Sequence, residues 1–294
     1  MLSLAECYSA CRYFHIAAVM QTFGTALFCE YLAPPALRDR LRASLGATLR
    51  ILAWFALATA VILLALQSGQ MGDGWAQTLS PAVWSAVLGT SFGTVWLWHM
   101  AIAVAALFAA GRGPLTATRS RLLLAAMAGL LASQALVGHT AMSVGLRGVL
   151  QRFNQIAHLF SAAWWLGGLL PLLFCLPLLR QAQRPDALRA LIRFSRSGHG
   201  AVAMVIFTGI ANTMLVLGRW PLDWSAPYQR LLLIKIAVVA AMVILAATNR
   251  YAVVPAMARR HPAAIRLLTL LTLMEMILGN LVLVLVSIFA TFEP

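Results

Sequence analysis

Long apolar runs recur along this 294-residue sequence, and polar loops separate them. Each run is about 20 residues long, which is the length that an α-helix needs to cross about 30 Å of hydrocarbon. Because a bilayer supplies no water to bond backbone N–H and C=O groups, such runs must form helices that satisfy these groups internally. We place about eight runs, near residues 10–33, 47–67, 92–111, 121–138, 154–179, 194–217, 230–249 and 266–290.

The runs predict an all-α fold, a polytopic membrane helix bundle with about eight transmembrane helices. No polar segment between them is long enough for a separate soluble domain, so we expect residues 1–294 to form a single transmembrane domain. The short apolar segment 81–89 cannot cross a bilayer and is expected to form a helix on the outer surface.

Composition excludes a soluble domain and argues against nucleic acid as a partner. Hydrophobic residues make up 62% of the chain and charged residues 10%, and the mean hydropathy is +0.85, whereas soluble domains carry about 25% charged residues. The net charge of +14 comes from 22 basic and 8 acidic residues. In so apolar a chain, basic residues are better explained as topology determinants than as a phosphate-binding surface. The partner that this composition implies is the lipid bilayer.

The arginines are distributed unequally between the two sets of loops. Those after the first, third, fifth and seventh runs carry most of them: Arg38, Arg40, Arg42, Arg50, Arg112, Arg119, Arg121, Arg180, Arg184, Arg189, Arg193, Arg196, Arg250, Arg259, Arg260 and Arg266. The longest loop of the other set, residues 68–91, has no basic residue. Because basic loops stay in the cytoplasm, both termini are predicted to lie outside.

With this topology, four of the six histidines fall at a similar depth near the outer face: His15, His99, His139 and His158. An imidazole in hydrocarbon usually faces the bundle interior, where it pairs, relays protons or binds a metal. We therefore predict a shared outer site formed by these four residues. The alternative interpretation is that they are interfacial residues bonded to the backbone. His199 and His261 fall on the cytoplasmic side and are left out.

Sulfur donors lie close to the same histidines. Cys7, Cys11 and His15 are spaced four residues apart, so on a helix they share one face. Met100 follows His99, and Met142 comes three residues after His139. Thiolate, thioether and imidazole together are the donor set that suits Cu(I). The alternative is that these methionines and cysteines only fill space between helices.

Three charged residues lie within or at the ends of apolar runs. Glu275 is near the middle of the last run, where a charge is costly unless it is neutral or paired. It is interpreted either as part of a proton or ion relay or as a hydrogen-bond partner of a neighbouring helix. Lys235 is near the outer end of its run and is expected to extend towards water. Glu30 is near the inner end of the first run.

Four stretches of the sequence carry a further signal: GHTAM at 138–142, AHLFSAAWWLGGLLPL at 157–172, RFSRSGHGAVAMVIFTGIANTMLVLG at 193–218 and YQRLLLIKIAVVAAMVILAATNRYAVVPAM at 228–257. Through them the sequence resembles the copper resistance D family of bacterial inner-membrane proteins. The resemblance covers roughly residues 10–290, and its most specific part is 138–255. It implies an eight-span protein of the inner membrane, copper uptake into the cytoplasm, and a periplasmic copper-binding partner of the copper resistance C type.

Three functions follow from these residues and from the resemblance. The first is copper import from the periplasm to the cytoplasm, or copper resistance, with copper as Cu(I) or Cu(II) held by a subset of the outer histidines and methionines. The second is a membrane haem b protein, in which two histidines on facing helices ligate the iron and the protein acts as an oxidoreductase. The third is an assembly or scaffold subunit without a cofactor. A transporter that is not an enzyme is the leading prediction.

Overall fold

The computed structural model describes residues 3–138, 145–258, 263–289 and residue 292. Apart from turns, these residues are helical, and no β-strand occurs among them. The α-helices are α1 (Leu4–Leu27), α2 (Pro35–Met71), α3 (Pro81–Leu88), α4 (Ser91–Ala110), α5 (Ala117–Gln134), α6 (Gly145–Cys175), α7 (Arg184–Leu217), α8 (Pro227–Thr248), α9 (Val254–Ala258) and α10 (Ala264–Phe289). The predicted all-α helix bundle is confirmed.

Short segments of other helix types join or extend these elements. The π-helical turns are Phe28–Leu32 and Asn249–Val253, and the 3₁₀ turns are Trp75–Leu79 and Pro177–Arg180. The predicted surface helix at 81–89 is present as α3.

Eight of the helices are long, and each overlaps one of the predicted apolar runs. Six of these regions, containing α2, α4, α6, α7, α8 and α10, are long and apolar enough to cross a membrane. Their outward faces carry large apolar side chains such as Phe108, which is 79% exposed. Such a surface suits lipid and not water. The count of eight spans and the periplasmic position of both termini stay predictions.

Proline and glycine end several helices where the sequence predicts. Leu32 ends the first helical segment, and Pro35 then starts α2 at the position where a missing N–H costs nothing. Gly111 follows α4 with φ of 38°, a backbone conformation that favours glycine. Ser3 caps α1 through a reciprocal pair of hydrogen bonds with Glu6.

Several helices are longer than the apolar runs. α2 begins at Pro35 instead of near residue 47, α6 at Gly145 instead of near 154, and α7 at Arg184 instead of near 194. The apolar run marks only the part of a helix with the length of the hydrocarbon layer. Beyond it the helix continues with one buried apolar stripe, which in α2 consists of Leu37, Leu41, Leu45 and Leu49.

Helix α1 lies at the centre of the bundle and packs against α2, α5, α6 and α10. Gly24 of α1 faces Gly167 of α6 so closely that a Cβ on Gly24 would lie 2.4 Å from the carbonyl oxygen of Ala163. Glycine at 167 therefore lets the two backbones approach closely. Gly209 is different, since a Cβ there would make only an ordinary 3.7 Å contact with His158 Cε1.

Candidate metal centre

His15 of α1 and His99 of α4 meet inside the bundle. Each residue is 1% exposed, and their Nε2 atoms lie 2.9 Å apart. The ring centroids are 4.9 Å apart and the ring planes are inclined at 53°. Helices α1 and α4 therefore each direct one imidazole nitrogen at the same point, although α2 and α3 separate them in the chain.

The other ring nitrogen of His15 contacts two oxygens of α2. Nδ1 lies 3.1 Å from the carbonyl oxygen of Ala56 and 2.9 Å from Thr59 Oγ1. The Thr59 hydroxyl donates its own hydrogen to the carbonyl of Phe55, at 2.6 Å, or to that of Ala56, at 3.1 Å. A carbonyl cannot donate, so the hydrogen bond network assigns the ring hydrogen to Nδ1 of His15.

The same assignment holds for His99. Its Nδ1 lies 2.7 Å from Ser133 Oγ of α5, and that hydroxyl donates to the carbonyl of Leu130 at 2.9 Å. The single hydroxyl hydrogen of Ser133 is thereby used, so Ser133 accepts from Nδ1–H of His99. Both Nε2 atoms are then lone-pair donors that face each other. A proton or a metal ion between them is needed to make this contact favourable.

Aromatic rings enclose the histidine pair. Trp96 stacks on His99 with a centroid distance of 4.6 Å and an interplanar angle of 12°. The Trp96 indole N–H donates to the carbonyl of Ala60 at 2.9 Å, and Phe92 stacks on its other side at 5.2 Å. These contacts hold the His99 ring in place and surround the pair with apolar surface.

The sequence predicts His15 and His99 as site residues but not Thr59, Ser133 and Trp96, which orient them. Thr59 and Ser133 are polar residues within apolar runs, and Trp96 precedes His99 by three residues and so lies on the same side of α4. These features of the sequence are the signals by which Thr59, Ser133 and Trp96 could have been predicted.

The cysteines lie on the face of α1 that carries His15. The Cys11 thiol donates to the carbonyl of Thr59 at 3.5 Å, so it lies one turn from His15 against the same residue of α2. Cys7 lies a further turn towards the N-terminus, and both are half-buried free thiols. Met100 is half-buried and packs with Trp96 in a small apolar cluster.

The other predicted residues are not brought to this pair by the described contacts. His158 of α6 bonds through Nδ1 to Thr208 Oγ1 at 2.8 Å and lines a cavity together with Lys235. His139 and Met142 lie outside the described residues. Within the described ranges no group of three or more His, Cys, Asp or Glu side chains is positioned to hold a metal ion. The site geometry is that of a two-histidine centre.

Comparison with known proteins decides the family. Residues 1–149 match the family model described as "Copper resistance protein D-like, N-terminal domain", and residues 188–289 match "Copper resistance protein D". The chain is 36% identical over 291 residues to "Inner membrane protein YebZ" of Escherichia coli (strain K12), covering 99% of both chains. It is 30% identical over 302 residues to "Copper resistance protein D" of Pseudomonas syringae pv. tomato, covering 97% of this chain and 96% of the other.

The chain belongs to the copper resistance D family. The resemblance recognised in the sequence is confirmed, and so is a multi-pass location in the bacterial inner membrane. No solved structure matches the chain. His15 and His99 lie in the part matched by the N-terminal family model, whereas the sequence resemblance is most specific over 138–255.

In a copper resistance D family protein, two opposed imidazoles suit a copper ion better than a haem. Metal–imidazole bonds are about 2 Å long, so an ion in line between the two Nε2 atoms requires a separation of about 4 Å. The rings of His15 and His99 need to open from 2.9 Å by about 1 Å. A haem requires a whole porphyrin plane between them, and with the centroids 4.9 Å apart and Trp96 stacked on His99, this pair does not fit that group.

Proposed function

We propose that this protein imports copper from the periplasm towards the cytoplasm and holds it as Cu(I) between His15 and His99. The observation that carries the proposal is the 2.9 Å contact between two Nε2 atoms whose Nδ1 atoms each contact an oxygen of another helix. Membership of the copper resistance D family is the reason for taking copper as the metal.

The donor set favours Cu(I) over other cations. Two neutral imidazoles in a dry apolar pocket match a soft ion of low charge and low coordination number, whereas Mg²⁺ and Ca²⁺ need carboxylate and carbonyl oxygens. Cu(II) prefers about four nitrogen or oxygen ligands in a tetragonal arrangement. The described residues around the pair offer two.

The positions of the sulfur-containing residues support copper movement from the periplasm inwards. With periplasmic termini, Cys7 and Cys11 lie between the periplasm and His15 along one face of α1. We assign them the role of passing Cu(I) to the pair, with Met100 beside His99. The sequence puts His139 and Met142 on the same predicted periplasmic side, where a periplasmic partner of the copper resistance C type would deliver copper. In this scheme His158 contributes to the copper route from the cavity that it lines, and it does not bind the copper ion held by His15 and His99.

Competition with a Cu(I)-selective chelator under anaerobic conditions tests this site. The purified wild-type protein is expected to retain one Cu(I), and His15→Ala and His99→Ala are each expected to lose at least about 100-fold in affinity, since even changes beyond the ligands cost about 10–100-fold. His199→Ala is the matched control because its ring bonds to Ser195 and Tyr251, on α7 and beside α8. Undiminished Cu(I) binding by the His15→Ala/His99→Ala double variant would remove the pair from the proposal.

A spectroscopic measurement tests the coordination directly. X-ray absorption of the Cu(I)-loaded protein is expected to show a low-coordinate ion with nitrogen neighbours at about 2 Å. A first shell dominated by sulfur would move the site to Cys7 and Cys11, and a visible Soret band in the protein as purified would favour the haem alternative.

A further inference from the structure

A second buried polar site lies far along the chain from the histidine pair, around Glu275 of α10. Glu275 is 3% exposed and borders a cavity of about 360 Å³ between α6, α7, α8 and α10. The polar side chains on the cavity wall include His199, Asn249, Arg250 and Tyr251. A carboxyl group at this depth of an apolar helix is costly as an unpaired anion.

Glu275 accepts few hydrogen bonds for a buried carboxylate. Asn249 Nδ2 donates to Oε1 at 2.7 Å, and the Trp165 indole N–H reaches Oε2 only at 3.4 Å. Asn249 Oδ1 is buried and has no hydrogen-bond partner. In the described part of the chain no Lys, Arg or His nitrogen lies within 4.0 Å of this carboxyl group. Among the described residues the site therefore has an unpaired oxygen acceptor and no counter-charge within 4.0 Å of the carboxyl group.

A local distortion of the helix contributes Asn249 to this site. Residues Asn249–Val253 form a π-helical turn directly after α8. Pro255 follows, and its ring would clash with the carbonyl of Tyr251 in a regular α-helix, so the wider turn relieves that clash. Such π-turns occur often at functional sites. Here the turn begins at the residue that bonds Glu275.

The cation that fits this site is a proton. Ca²⁺ takes about six to eight oxygen ligands, whereas the acceptors at Glu275 and Asn249 are too few for a metal shell, and no metal-ligand group was found among the described residues. One hydrogen on the Glu275 carboxyl removes its charge and adds a donor to a site where the acceptor Asn249 Oδ1 has no hydrogen-bond partner. The titratable groups that line the Glu275 cavity are His199 of α7 and Arg250 and Tyr251 of the π-turn. Lys235 of α8 lines a different cavity, which Trp165 also borders.

Two cavities meet at Trp165, which contacts Glu275. Trp165 lines the cavity described above and also a second cavity of about 560 Å³, which His158 and Lys235 border on the predicted periplasmic side. His199 and Arg250 lie on the predicted cytoplasmic side. Glu275 accepts from the Trp165 indole between the two cavities.

We propose that Glu275, with Asn249, is a proton-binding site that exchanges its proton through the two cavities flanking Trp165, and that this exchange drives copper movement. The second half of this proposal rests on the proposed function, and the first half does not. The step transfers one proton to a carboxylate oxygen and releases the same proton to the opposite cavity, with no change in oxidation state.

Infrared difference spectroscopy of the purified protein tests the proton site without copper. We expect a carbonyl stretch of a protonated carboxylic acid that is absent from Glu275→Gln and shifts in frequency in Asn249→Ala, because Oε1 loses a donor. Glu30→Gln is the matched control, since Glu30 is a buried carboxylate bonded by Arg42 at 2.8 Å and gives no acid band. A Glu275 carboxylate that stays ionised at every pH at which the protein is folded would overturn the proposal.

Cu(I) uptake into proteoliposomes tests the coupling. An outside-acid pH gradient is expected to accelerate uptake by the wild-type protein and to have no effect on Glu275→Gln, whose Cu(I) affinity in the chelator assay stays unchanged. If Glu275→Gln still responds to the gradient, the coupling is wrong. If the wild-type protein takes up no copper, the import proposal fails and the coupling fails with it, and the infrared result alone decides the proton site.

Discussion

His15 and His99 direct their Nε2 atoms at each other across 2.9 Å, while Thr59 of α2 and Ser133 of α5 lie within hydrogen-bonding distance of the opposite nitrogens. Four helices thus determine the orientation of two rings. Because the oxygens are acceptors for Nδ1–H, the lone pairs at Nε2 are the only ones available, and the pair is oriented for a cation before any cation arrives.

The residues behind the pair are predicted to control its affinity. Ser133→Ala removes the acceptor for Nδ1–H of His99 and allows that ring to turn or to change tautomer. Thr59→Val removes one of the two acceptors for Nδ1–H of His15, leaves the Ala56 carbonyl, and so holds that ring less firmly. Cu(I) affinity in the chelator competition should fall by about 10–100-fold. Thr272→Val is the control, since the Thr272 hydroxyl is equally buried but bonds only to the carbonyl of Leu268 in its own helix. A loss of affinity in this control equal to that in the other two would contradict the prediction.

Cys11 is predicted to affect the rate of copper capture more than its equilibrium. Its thiol contacts Thr59 one turn from His15, so Cys11→Ala removes a soft donor on the approach and leaves both Nε2 atoms in place. Stopped-flow transfer of Cu(I) from a chelator should slow, with affinity changed much less than in His15→Ala. Cys175→Ala, at the last residue of α6, should leave the rate unchanged. Equal rates for wild type and Cys11→Ala would exclude this route.

The crossing of α1 and α6 is predicted to tolerate no added methyl group. Gly24→Ala puts a Cβ 2.4 Å from the Ala163 carbonyl oxygen, and backbone atoms on both sides leave it no room. Overpacking of this kind costs about 1–3 kcal/mol, and the melting temperature in detergent should fall. Gly200→Ala is the control, since nothing lies within 4 Å of its Cβ, and a helical glycine replaced by alanine gains up to about 1 kcal/mol.

The buried ion pair of Glu30 and Arg42 is predicted to contribute more to the free energy of unfolding than the ion pair of Arg42 with the exposed Asp39. Arg42 donates to both carboxylate oxygens of Glu30 at 2.8 Å, with side chains 7% and 1% exposed. Arg42→Met removes both 2.8 Å hydrogen bonds and leaves Glu30 the 3.5 Å contact with Arg121 Nε. The loss should therefore approach, from below, the cost of about 3–5 kcal/mol for an unpaired buried charge, and Glu30→Gln in the same chain should recover part of it. Asp39→Asn, whose side chain is 89% exposed, should cost at most about 1 kcal/mol. Equal losses in thermal unfolding would contradict this.

The arginine asymmetry predicts that the C-terminus is periplasmic. Alkaline phosphatase fused after residue 294 should be active, and a green fluorescent protein fused there should be dark. Fusions within 180–184, a loop rich in arginine, should behave in the opposite way. A fluorescent C-terminal fusion would mean that the chain has one span fewer or one span more than the predicted eight.

The sequence by itself determined the helices, their approximate depth and the family. These properties are local, because an apolar run in hydrocarbon must satisfy its own backbone wherever its neighbours lie. Depth also follows from counting residues along a helix, which is why His15, His99 and His158 were all expected near one face. Proline and glycine at Pro35 and Gly111 marked helix ends for the same local reason.

Only the tertiary structure decided which residues face one another. In a membrane bundle both the lipid side and the interior side of a helix are apolar, so the sequence of α4 carries almost no signal for its rotation about its own axis. That rotation turns His99 towards His15, which lies 84 positions earlier in the chain, and towards Ser133 on the other side of the ring. The rotation of α6 in turn directs His158 towards Thr208 and a separate cavity. Contacts between helices are set by packing in three dimensions and not by position along the chain.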